Sequence, residues 1–314
     1  MIKYFNIFKF EKYNKYTYGE LIIIYIMSEN TEISKKNPES GYWNRINKFP
    51  IPNTPYTLTG YSVAAKNTGF FIPELRMMLD CGVPNSFSPE TIFITHGHLD
   101  HSGELPRTLI DTGKVNPIIV APKPCETNVK NFIHATYCLT KNNPNPRIHN
   151  KYKLIGVSPF ERLNLKIKNM DWIIDVIKCN HSVPCSGYGF TEIRNKLKTE
   201  YVNKNKEGIE ISEKKEVPMF CFLGDTDHKI FEDDNIVKIL EKYKTIILEC
   251  TFLDEEHKKN AIDDRHLHWT NLKPFIQSHP NIYFILVHFS ARYTEEFIKN
   301  FFDKEKTENM LIWI

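Results

Sequence analysis

Short apolar runs recur along the chain from about Tyr56 onward, and turn-forming or helical stretches separate them. Runs of this length that are rich in Ile, Phe and Val predict buried β-strands. We expect strands over residues 70–72, 76–79, 91–95, 117–121, 172–177, 219–223, 245–248 and 282–287. Two stretches with helical periodicity, residues 236–243 and 295–302, are predicted to form helices.

Five of the predicted strands lead into a histidine or a carboxylate. These residues are His96, His181, Asp225, Glu249 and His288. The ends of sheet strands bring together side chains that lie far apart in sequence, and a rigid sheet holds them in place. We therefore expect these five residues to meet at one edge of a sheet and to form a single functional site.

The densest cluster of such residues is the run of sequence THGHLDH, residues 95–101. On a straight strand His96 and His98 would share a face, and Gly97 permits the turn that brings in Asp100 and His101. Imidazole nitrogens and carboxylate oxygens suit zinc, and also manganese or iron. The chain has only 12 histidines in 314 residues, so we predict a metal site rather than a polar loop that holds histidines by chance.

This run is too short to supply all the ligands of two ions. The remaining candidates are His181, Asp225 and His288, each of which follows an apolar strand. A single histidine is more often structural than a ligand, but three candidates beside the first cluster favour the metal interpretation. Asp225 suits a bridging role, because one carboxylate can hold two ions that lie about 3.5–4 Å apart.

The composition bounds the class of protein. Hydrophobic residues make up 41% and charged residues 25% of the chain, as is typical of soluble globular proteins. The formal net charge of +3 is too small to indicate a nucleic-acid partner by itself. The seven cysteines form no C-x-x-C pair, which favours reduced thiols in an intracellular compartment, cytoplasmic or nuclear.

The N-terminal stretch differs from the rest of the chain. Its apolar segment, residues 21–27, is far too short to span a bilayer, so we expect no membrane association. The polar segment 28–40 that follows is typical of a linker. We interpret residues 1–40 as an N-terminal extension or linker, either ordered or disordered.

The motifs together resemble those of ribonuclease Z, a family within the metallo-β-lactamase fold superfamily. Five stretches carry the resemblance: residues 79–82, 95–106, 181–188, 222–226 and 288–293, the last of sequence HFSARY. Residues 249–255 and 265–270 are similar to the paired acid and histidine motifs of the plant-type short forms. The resemblance covers about residues 56–302 and makes residues 41–314 a hydrolase domain.

The resemblance implies a fold, a reaction and a ligand set. The fold is α/β, a four-layer αββα sandwich, and the reaction is endonucleolytic removal of the 3′ trailer of precursor tRNA. Two divalent ions are implied, with Zn²⁺ favoured and Mn²⁺ or Fe²⁺ open. The implied ligands are His96, His98 and His181 for one ion, Asp100, His101 and His288 for the other, and Asp225 as the bridge.

The same resemblance assigns catalytic roles. A hydroxide that bridges the two ions attacks phosphorus in line, and Asp100 orients the water and accepts its proton. His266 is the matching acid for the leaving ribose 3′ oxygen, with Glu249 orienting and charging it. His268 is an alternative acid, because the two histidines lie two residues apart. Asp80 is implied to support the metal loop.

Other parts of the motifs leave alternatives open. Thr226, Ser290, Arg292 and Tyr293 either shape a phosphate pocket or serve the fold. Residues 196–217 are Lys-rich but lack the Gly-Pro tip of the family's tRNA-binding arm, so we expect a projecting charged loop or a reduced arm. A reduced arm favours the alternative function, another nuclease or phosphodiesterase of this fold that acts on RNA, single-stranded DNA or cyclic nucleotides.

Three further expectations follow from the family. The partner is RNA, with precursor tRNA as the expected substrate, and the protein is expected to form a homodimer. Promiscuous β-lactam hydrolysis is compatible with a metal-bound hydroxide. A non-enzymatic, degenerate binding protein is disfavoured, because no ligand position is lost from the sequence.

Overall fold

A computed structural model describes residues 48–85, 87–111, 116–146, 148, 151–197, 212–305 and 307–314. The predicted N-terminal extension, residues 1–40, lies outside these ranges. The strands are β1 Lys48–Pro50, β2 Thr57–Ala64, β3 Asn67–Ile72, β4 Met77–Leu79, β5 Thr91–Phe93, β6 Ile118–Pro122, β7 Lys153–Val157, β8 Arg162–Ile167, β9 Met170–Cys179, β10 Cys185–Leu197, β11 Ser212–Phe222, β12 Thr245–Glu249, β13 Tyr283–Val287, β14 Phe289–Ser290 and β15 Met310–Ile312. The α-helices are α1 Leu99–Ser102, α2 Leu105–Asp111, α3 Glu126–Lys141, α4 Asp234–Leu240, α5 Lys258–Asp264, α6 Trp269–Ser278 and α7 Glu295–Glu305.

The strands form two sheets. The first has the order β1-β2-β3-β4-β5-β6-β7, with β14 paired to β2, and the second has the order β15-β13-β12-β11-β10-β9-β8. In the first sheet β1 to β4 are antiparallel and β4 to β7 are parallel. In the second sheet β8 to β11 are antiparallel, and β11, β12, β13 and β15 are parallel. Three of the five strands that lead into predicted site residues, β5, β12 and β13, therefore lie in parallel regions, which explains their continuous apolar sequences.

The main hydrophobic core lies between the two sheets. It joins Phe70 and Phe93 of the first sheet to Phe190 and Phe222 of the second. The Phe70 and Phe222 rings lie 6.0 Å apart, and the Phe93 and Phe190 rings lie 4.9 Å apart, both edge to face. Aromatic pairs in this geometry add to the stabilisation from burial alone. The core therefore fixes the two sheets face to face.

Helices cover the outer face of each sheet. On the first sheet, α2 and α3 bury Leu105 and Ile133 against Ile92. On the second sheet, α4, α6 and α7 bury residues such as Leu272 against Phe284. The layers are therefore helix, sheet, sheet and helix, and the predicted four-layer α/β sandwich is confirmed.

All of the predicted strands and helices are present in the structure. Each of the eight predicted strands overlaps an observed one, and the two predicted helices correspond to α4 and α7. Several other elements were not predicted, among them strand β10 and helix α3. The sequence of β10, CSGYGFTEIRNKL, mixes glycine, charged and apolar residues without a regular period. Its strand conformation is set by its pairing with β9 and β11.

The predicted charged segment, residues 196–217, begins and ends within a β-ladder. Strands β10 and β11 pair in antiparallel register as far as Leu197 and Ser212. Residues 198–211 lie outside the described part of the chain.

Among the described residues, no helix is long and apolar enough to cross a membrane. All seven cysteines lie among the described residues and none is paired in a disulfide bond.

Candidate metal centre

The predicted ligands converge at one place between the two sheets. Each follows the end of a strand or lies in α1, which begins directly after the first two histidines. Their ligand atoms fall into two groups, within each of which all atoms lie within 4.8 Å of one another, and a third group of this kind joins His266 to Asp225 and His288. The first group is His96, His98, His181 and Asp225, and the second contains Asp100, His101 and His288.

The first group has the spacing of a metal site. His181 Nε2 lies 3.2 Å from His98 Nδ1, and Asp225 Oδ2 lies 3.7 Å from His96 Nε2. Tetrahedral ligands with bonds of about 2.0–2.1 Å have neighbouring atoms about 3.3 Å apart. His96 Nε2 is buried and has no hydrogen-bond partner among the described residues. A buried polar atom without a partner is costly, and a cation at this position would satisfy it.

The second group has similar spacing and shares a carboxylate with the first. His101 Nε2 lies 3.1 Å from His288 Nε2, and Asp100 Oδ2 lies 3.5 Å from His288 Nε2. Asp225 Oδ2, the same oxygen that faces His96, lies 3.3 Å from His101 Nε2 and 3.6 Å from His288 Nε2. One carboxylate oxygen therefore lies between both groups, which is the position of a bridge.

The nitrogens that do not face the centre are anchored by hydrogen bonds. Asp80 is fully buried, and its Oδ2 lies 2.8 Å from His101 Nδ1. Its other oxygen accepts a hydrogen bond from the backbone N–H of Thr95 at 2.7 Å. His181 Nδ1 donates to the carbonyl of Arg265 at 3.0 Å. Such contacts fix the orientation of each imidazole and favour ligation through the other nitrogen.

Two residues of the site hold an unusual backbone conformation. Asp80 has φ of 55° and His288 has φ of 62°, both in the left-handed region. Residues other than glycine adopt this region at a cost of about 1–3 kcal/mol. The packing around the site therefore maintains a strained backbone at two residues. One is Asp80, whose carboxylate orients His101, and the other is His288, which is itself a candidate ligand.

The charges of the centre favour a cation. Burial, with the neighbouring imidazoles, lowers the pKa of His96 well below its usual range, so this ring is neutral. Burial also acts to lower the pKa of His101, but the carboxylates of Asp225 and Asp80 outweigh it and raise that pKa well above the usual range. The same carboxylates would attract a divalent ion in place of the proton.

A buried carboxylate and a histidine lie beside the two groups. Glu249 Oε1 lies 2.9 Å from His266 Nδ1 and accepts a hydrogen bond from the backbone N–H of Thr226 at 2.8 Å. Burial lowers the pKa of His266, but the charge and hydrogen bond of Glu249 raise it to about 9. His266 Nδ1 also lies 3.9 Å from Asp225 Oδ2. The raised pKa favours the protonated form of His266, which lies next to Asp225.

The structure separates the two histidines that the sequence left as alternatives. His268 is 1% exposed, and its Nε2 donates to the carbonyl of Asp254 at 2.8 Å. Its Nδ1 accepts a hydrogen bond from the backbone N–H of Thr270 at 3.2 Å and caps α6. Both nitrogens of His268 are thus engaged away from the centre, whereas His266 lies at it.

Four motif residues with open roles all make structural contacts near the centre. The hydroxyls of Thr226 and Tyr293 accept backbone hydrogen bonds at 2.9 and 3.1 Å. The backbone N–H of Ser290 donates to a neighbouring carbonyl at 3.0 Å. The guanidinium of Arg292 lies 5.2 Å from the centre of the Phe252 ring. Each of these four residues therefore has at least one contact that supports the fold.

The sequence did not single out Thr251, which connects the carboxylate of Glu249 to His288 of the second group. Its hydroxyl donates to Glu249 Oε2 at 2.5 Å and lies 3.1 Å from His288 Nδ1. The signal in the sequence was its place two residues after Glu249, which on an extended chain puts both side chains on one face. A hydroxyl alone did not mark it as part of a metal centre.

We predict that Gly82→Ala disrupts the site, whereas Gly97→Ala does not. A Cβ at residue 82 would lie 1.7 Å from the backbone oxygen of Asp100, but a Cβ at residue 97 would meet nothing within 4 Å. Thermal unfolding should show a loss of about 3 kcal/mol or more for Gly82→Ala. Gly97→Ala is the matched control and should stay within about 1 kcal/mol of wild type. Equal stability of the two variants would contradict this packing.

Comparison with curated proteins supports the sequence resemblance. The chain is 27% identical to tRNase Z TRZ1 of Arabidopsis thaliana over 259 residues, which cover 78% of this chain and 89% of that protein. It is 28% identical to the chloroplastic tRNase Z TRZ2 of Arabidopsis thaliana over 270 residues, covering 81% and 73%. No protein-family model matches the chain. The predicted resemblance to ribonuclease Z is confirmed by these relatives.

Comparison with solved structures agrees on the fold. The metallo-β-lactamase fold protein YhfI from Bacillus subtilis superposes with a TM-score of 0.53 at 13% identity, covering 81% of this chain and 93% of that chain. At this identity the likeness concerns the fold alone. The chain therefore has the metallo-β-lactamase fold, in which His and Asp clusters of this kind suit divalent metal ions.

Proposed function

We propose that this protein is a metal-dependent endoribonuclease that removes the 3′ trailer of precursor tRNA. The observation that carries the proposal is the position of Asp225 Oδ2, which faces both groups of histidines and lies 3.9 Å from His266 Nδ1. A bridged two-ion site beside a protonated histidine suits in-line displacement at phosphorus. The tRNase Z relatives support a hydrolase and RNA as the substrate.

The donor set fits two divalent ions. It offers imidazole nitrogens and carboxylate oxygens with no thiolate, and Zn²⁺ is favoured while Mn²⁺ and Fe²⁺ also fit such ligands. When bound, two such ions supply an activated water nucleophile and neutralise charge on the phosphate. His96, His98 and His181 would hold one ion, Asp100, His101 and His288 the other, and Asp225 both.

Two side chains of the centre reach solvent and can handle protons. The side chain of Asp100 is 16% exposed and that of His266 is 15% exposed, whereas the side chain of Asp225 is only 4% exposed. Asp100 Oδ2 also accepts the backbone N–H of Ala65 at 3.1 Å, which holds it at the mouth of the centre. We assign Asp100 to orient the nucleophile and accept its proton.

His266 is assigned to protonate the leaving oxygen. Its ring centre lies 5.0 Å from that of His181 and 5.5 Å from that of His288, so it sits beside both ion positions. Glu249 engages Nδ1, which leaves Nε2 for the substrate. The departing ribose 3′ oxygen is strongly basic, so a proton delivered in the transition state speeds its departure.

The substrate is tested by direct comparison of three phosphodiesters. Purified full-length protein with added Zn²⁺ or Mn²⁺ is incubated with a 3′-extended precursor tRNA, a generic single-stranded RNA and a small phosphodiester. We expect cleavage of the precursor at the trailer junction, with much slower cleavage of the other two. Cleavage confined to the small ester would overturn the tRNA assignment and favour the alternative phosphodiesterase function.

Removal of metal is predicted to abolish this activity reversibly. None of the described side chains of the centre is assigned to activate the nucleophile without the ions. A chelator should therefore reduce the rate of precursor cleavage by at least about three orders of magnitude. Dialysis followed by Zn²⁺, Mn²⁺ or Fe²⁺ should restore it, and the ion that restores the highest rate indicates the preferred metal. Activity that persists in chelator would refute the metal mechanism.

We also propose an intracellular place of action, cytoplasmic or nuclear, and a homodimer. Precursor tRNA is an intracellular substrate, and free thiols are stable in reducing compartments.

The homodimer rests on the family resemblance. Sedimentation of the purified protein should give twice the mass of the 36.9 kDa chain, and a mass of one chain would contradict it.

A further inference from the structure

Arg265 and His181 hold each other through two hydrogen bonds that run in opposite directions. The Nδ1 of His181 donates to the carbonyl of Arg265 at 3.0 Å, and the guanidinium Nη1 of Arg265 donates to the carbonyl of His181 at 2.8 Å. The second contact is partly buried, so loss of the donor would leave a carbonyl that is costly to keep without a partner. The pair therefore fixes both the ring and the backbone of one candidate ligand.

The carbonyl that accepts from His181 belongs to the same peptide group as the backbone N–H of His266. That N–H donates to the carbonyl of Ala261 at 2.9 Å, in the last turn of α5. A peptide group is planar and rigid, so the position of its carbonyl sets the position of the residue that follows. The ring centres of His181 and His266 lie 5.0 Å apart. The geometry at Arg265 therefore affects the candidate ligand and the candidate acid together.

Other contacts hold the chain just before His181. The backbone N–H of Asn180 donates to the hydroxyl of Thr226 at 2.9 Å, and the carbonyl of Asn180 accepts from the backbone N–H of Asp227 at 3.0 Å. These contacts tie the start of this loop to the segment that follows Asp225. The guanidinium of Arg265 supplies a contact on the carbonyl side of His181, so the loop is held from both sides.

The backbone of Arg265 allows its side chain to be tested separately from the fold. Arg265 ends α5 in the left-handed conformation, with φ of 55° and ψ of 57°. Glycine adopts this conformation without steric cost, whereas a residue with a Cβ does not. Arg265→Gly would therefore remove the guanidinium without adding strain to the end of the helix.

We propose that Arg265 is a positioning residue that fixes the metal ligand His181 and the acid His266 relative to each other. Its carbonyl orients the imidazole of His181, and its guanidinium holds the backbone of His181 in place. Loss of a partner that orients a ligand typically changes metal affinity about 10–100-fold. The inference rests on the proposed function for the role of His266, whereas the effect on metal binding does not depend on the substrate.

The first test measures Zn²⁺ binding without any substrate. Full-length protein freed of metal is titrated with Zn²⁺ in competition with a chromophoric chelator. We expect Arg265→Gly and Arg265→Met to weaken Zn²⁺ binding about tenfold or more. Arg265→Lys keeps a cationic donor and should lie between these variants and wild type. The melting temperature of Arg265→Gly should stay within about 4 °C of wild type, which shows that the fold is kept.

Arg76→Gly is the matched control for this test. Arg76 also ends a helical turn in the left-handed conformation, with φ of 45°, and its Nε donates to the carbonyl of Ser88 at 3.1 Å. It lies directly before β4, at the opposite end of that strand from Asp80. Arg76→Gly should therefore bind Zn²⁺ as wild type does. Equal losses of affinity in Arg76→Gly and Arg265→Gly, or wild-type affinity in either Arg265→Gly or Arg265→Met, would overturn the inference.

The second test separates the acid from the ligand. At saturating Zn²⁺, Arg265→Gly should lower kcat on RNA by a larger factor than kcat on bis(p-nitrophenyl) phosphate, whose phenolate leaves without a proton. An equal fall on both substrates would overturn the joint positioning of His181 and His266. If the Arg265 variants lose Zn²⁺ affinity while wild type fails to cleave precursor tRNA, the positioning of His181 stands and the tRNA function fails.

Discussion

Replacing Asp225 by Asn is expected to reduce precursor cleavage by about three orders of magnitude or more. The side chains are nearly the same size, so the change removes a negative charge with little change in packing. Asp225 Oδ2 faces His96 at 3.7 Å and His101 at 3.3 Å. Without its charge, neither ion position keeps the carboxylate that neutralises and bridges the pair.

The metal content of the Asp225→Asn variant should fall together with its activity. Elemental analysis of protein passed through a desalting column should give about two ions per wild-type chain and one or fewer in the variant. Asp175→Asn is the matched control, because Asp175 is also a buried carboxylate but pairs with Arg162 and Tyr243 away from the centre. Full metal content and activity in Asp225→Asn would rule out the bridge.

Replacing His266 by Ala is expected to lower kcat by about 10²–10⁴-fold, the usual contribution of a general acid. Metal content should be unchanged, because His266 is assigned to the leaving group and not to either ion. His268→Ala should retain kcat and instead lower stability by about 1 kcal/mol, since it removes the cap of α6. Equal effects of the two variants on kcat would reject this assignment.

A second substrate distinguishes an acid from a residue that only supports the fold. Bis(p-nitrophenyl) phosphate releases a weakly basic phenolate that needs no proton to depart. His266→Ala should therefore keep a rate close to wild type on this ester while failing on RNA, whereas Asp225→Asn should fail on both. Loss of activity on both substrates by His266→Ala would indicate a structural role.

The convergence of three candidate ligands was predictable because each follows an apolar strand. His181, Asp225 and His288 are separated by dozens of residues, yet the strands before them were visible as buried runs. Strands β11, β12 and β13 are parallel, and β9 runs in the same direction as β11 because both pair antiparallel with β10, so the ends of these strands lie at one edge of the second sheet. The periodicity of the sequence and the geometry of sheets were sufficient for this part of the site.

The choice between His266 and His268 could not be made from sequence. Both lie within the same motif, residues 265–270, and Leu267 is next to each of them. The difference lies in tertiary contacts: Glu249 engages one ring, and Asp254 with the first turn of α6 engages the other. Contacts between residues that are distant in sequence or set by local backbone geometry leave no pattern in the sequence.

The aromatic stripe at the start of α7 and along it shows a similar limit. The spacing of Tyr293, Phe297 and Phe301 is visible in the sequence, but a stripe at this spacing is more often a buried helix face. Only the exposure of Phe297 in the folded chain distinguishes a surface from a core. The anchoring carbonyl of Arg265 is a still clearer case, because every residue has a backbone carbonyl.

The central claim, a two-ion centre bridged by Asp225, is tested most directly by anomalous diffraction from a crystal of the metal-loaded protein. We expect two anomalous peaks about 3.5–4 Å apart, one among His96, His98 and His181 and the other among Asp100, His101 and His288, with Asp225 between them. A single peak, or a pair of peaks that Asp225 does not contact, would contradict it.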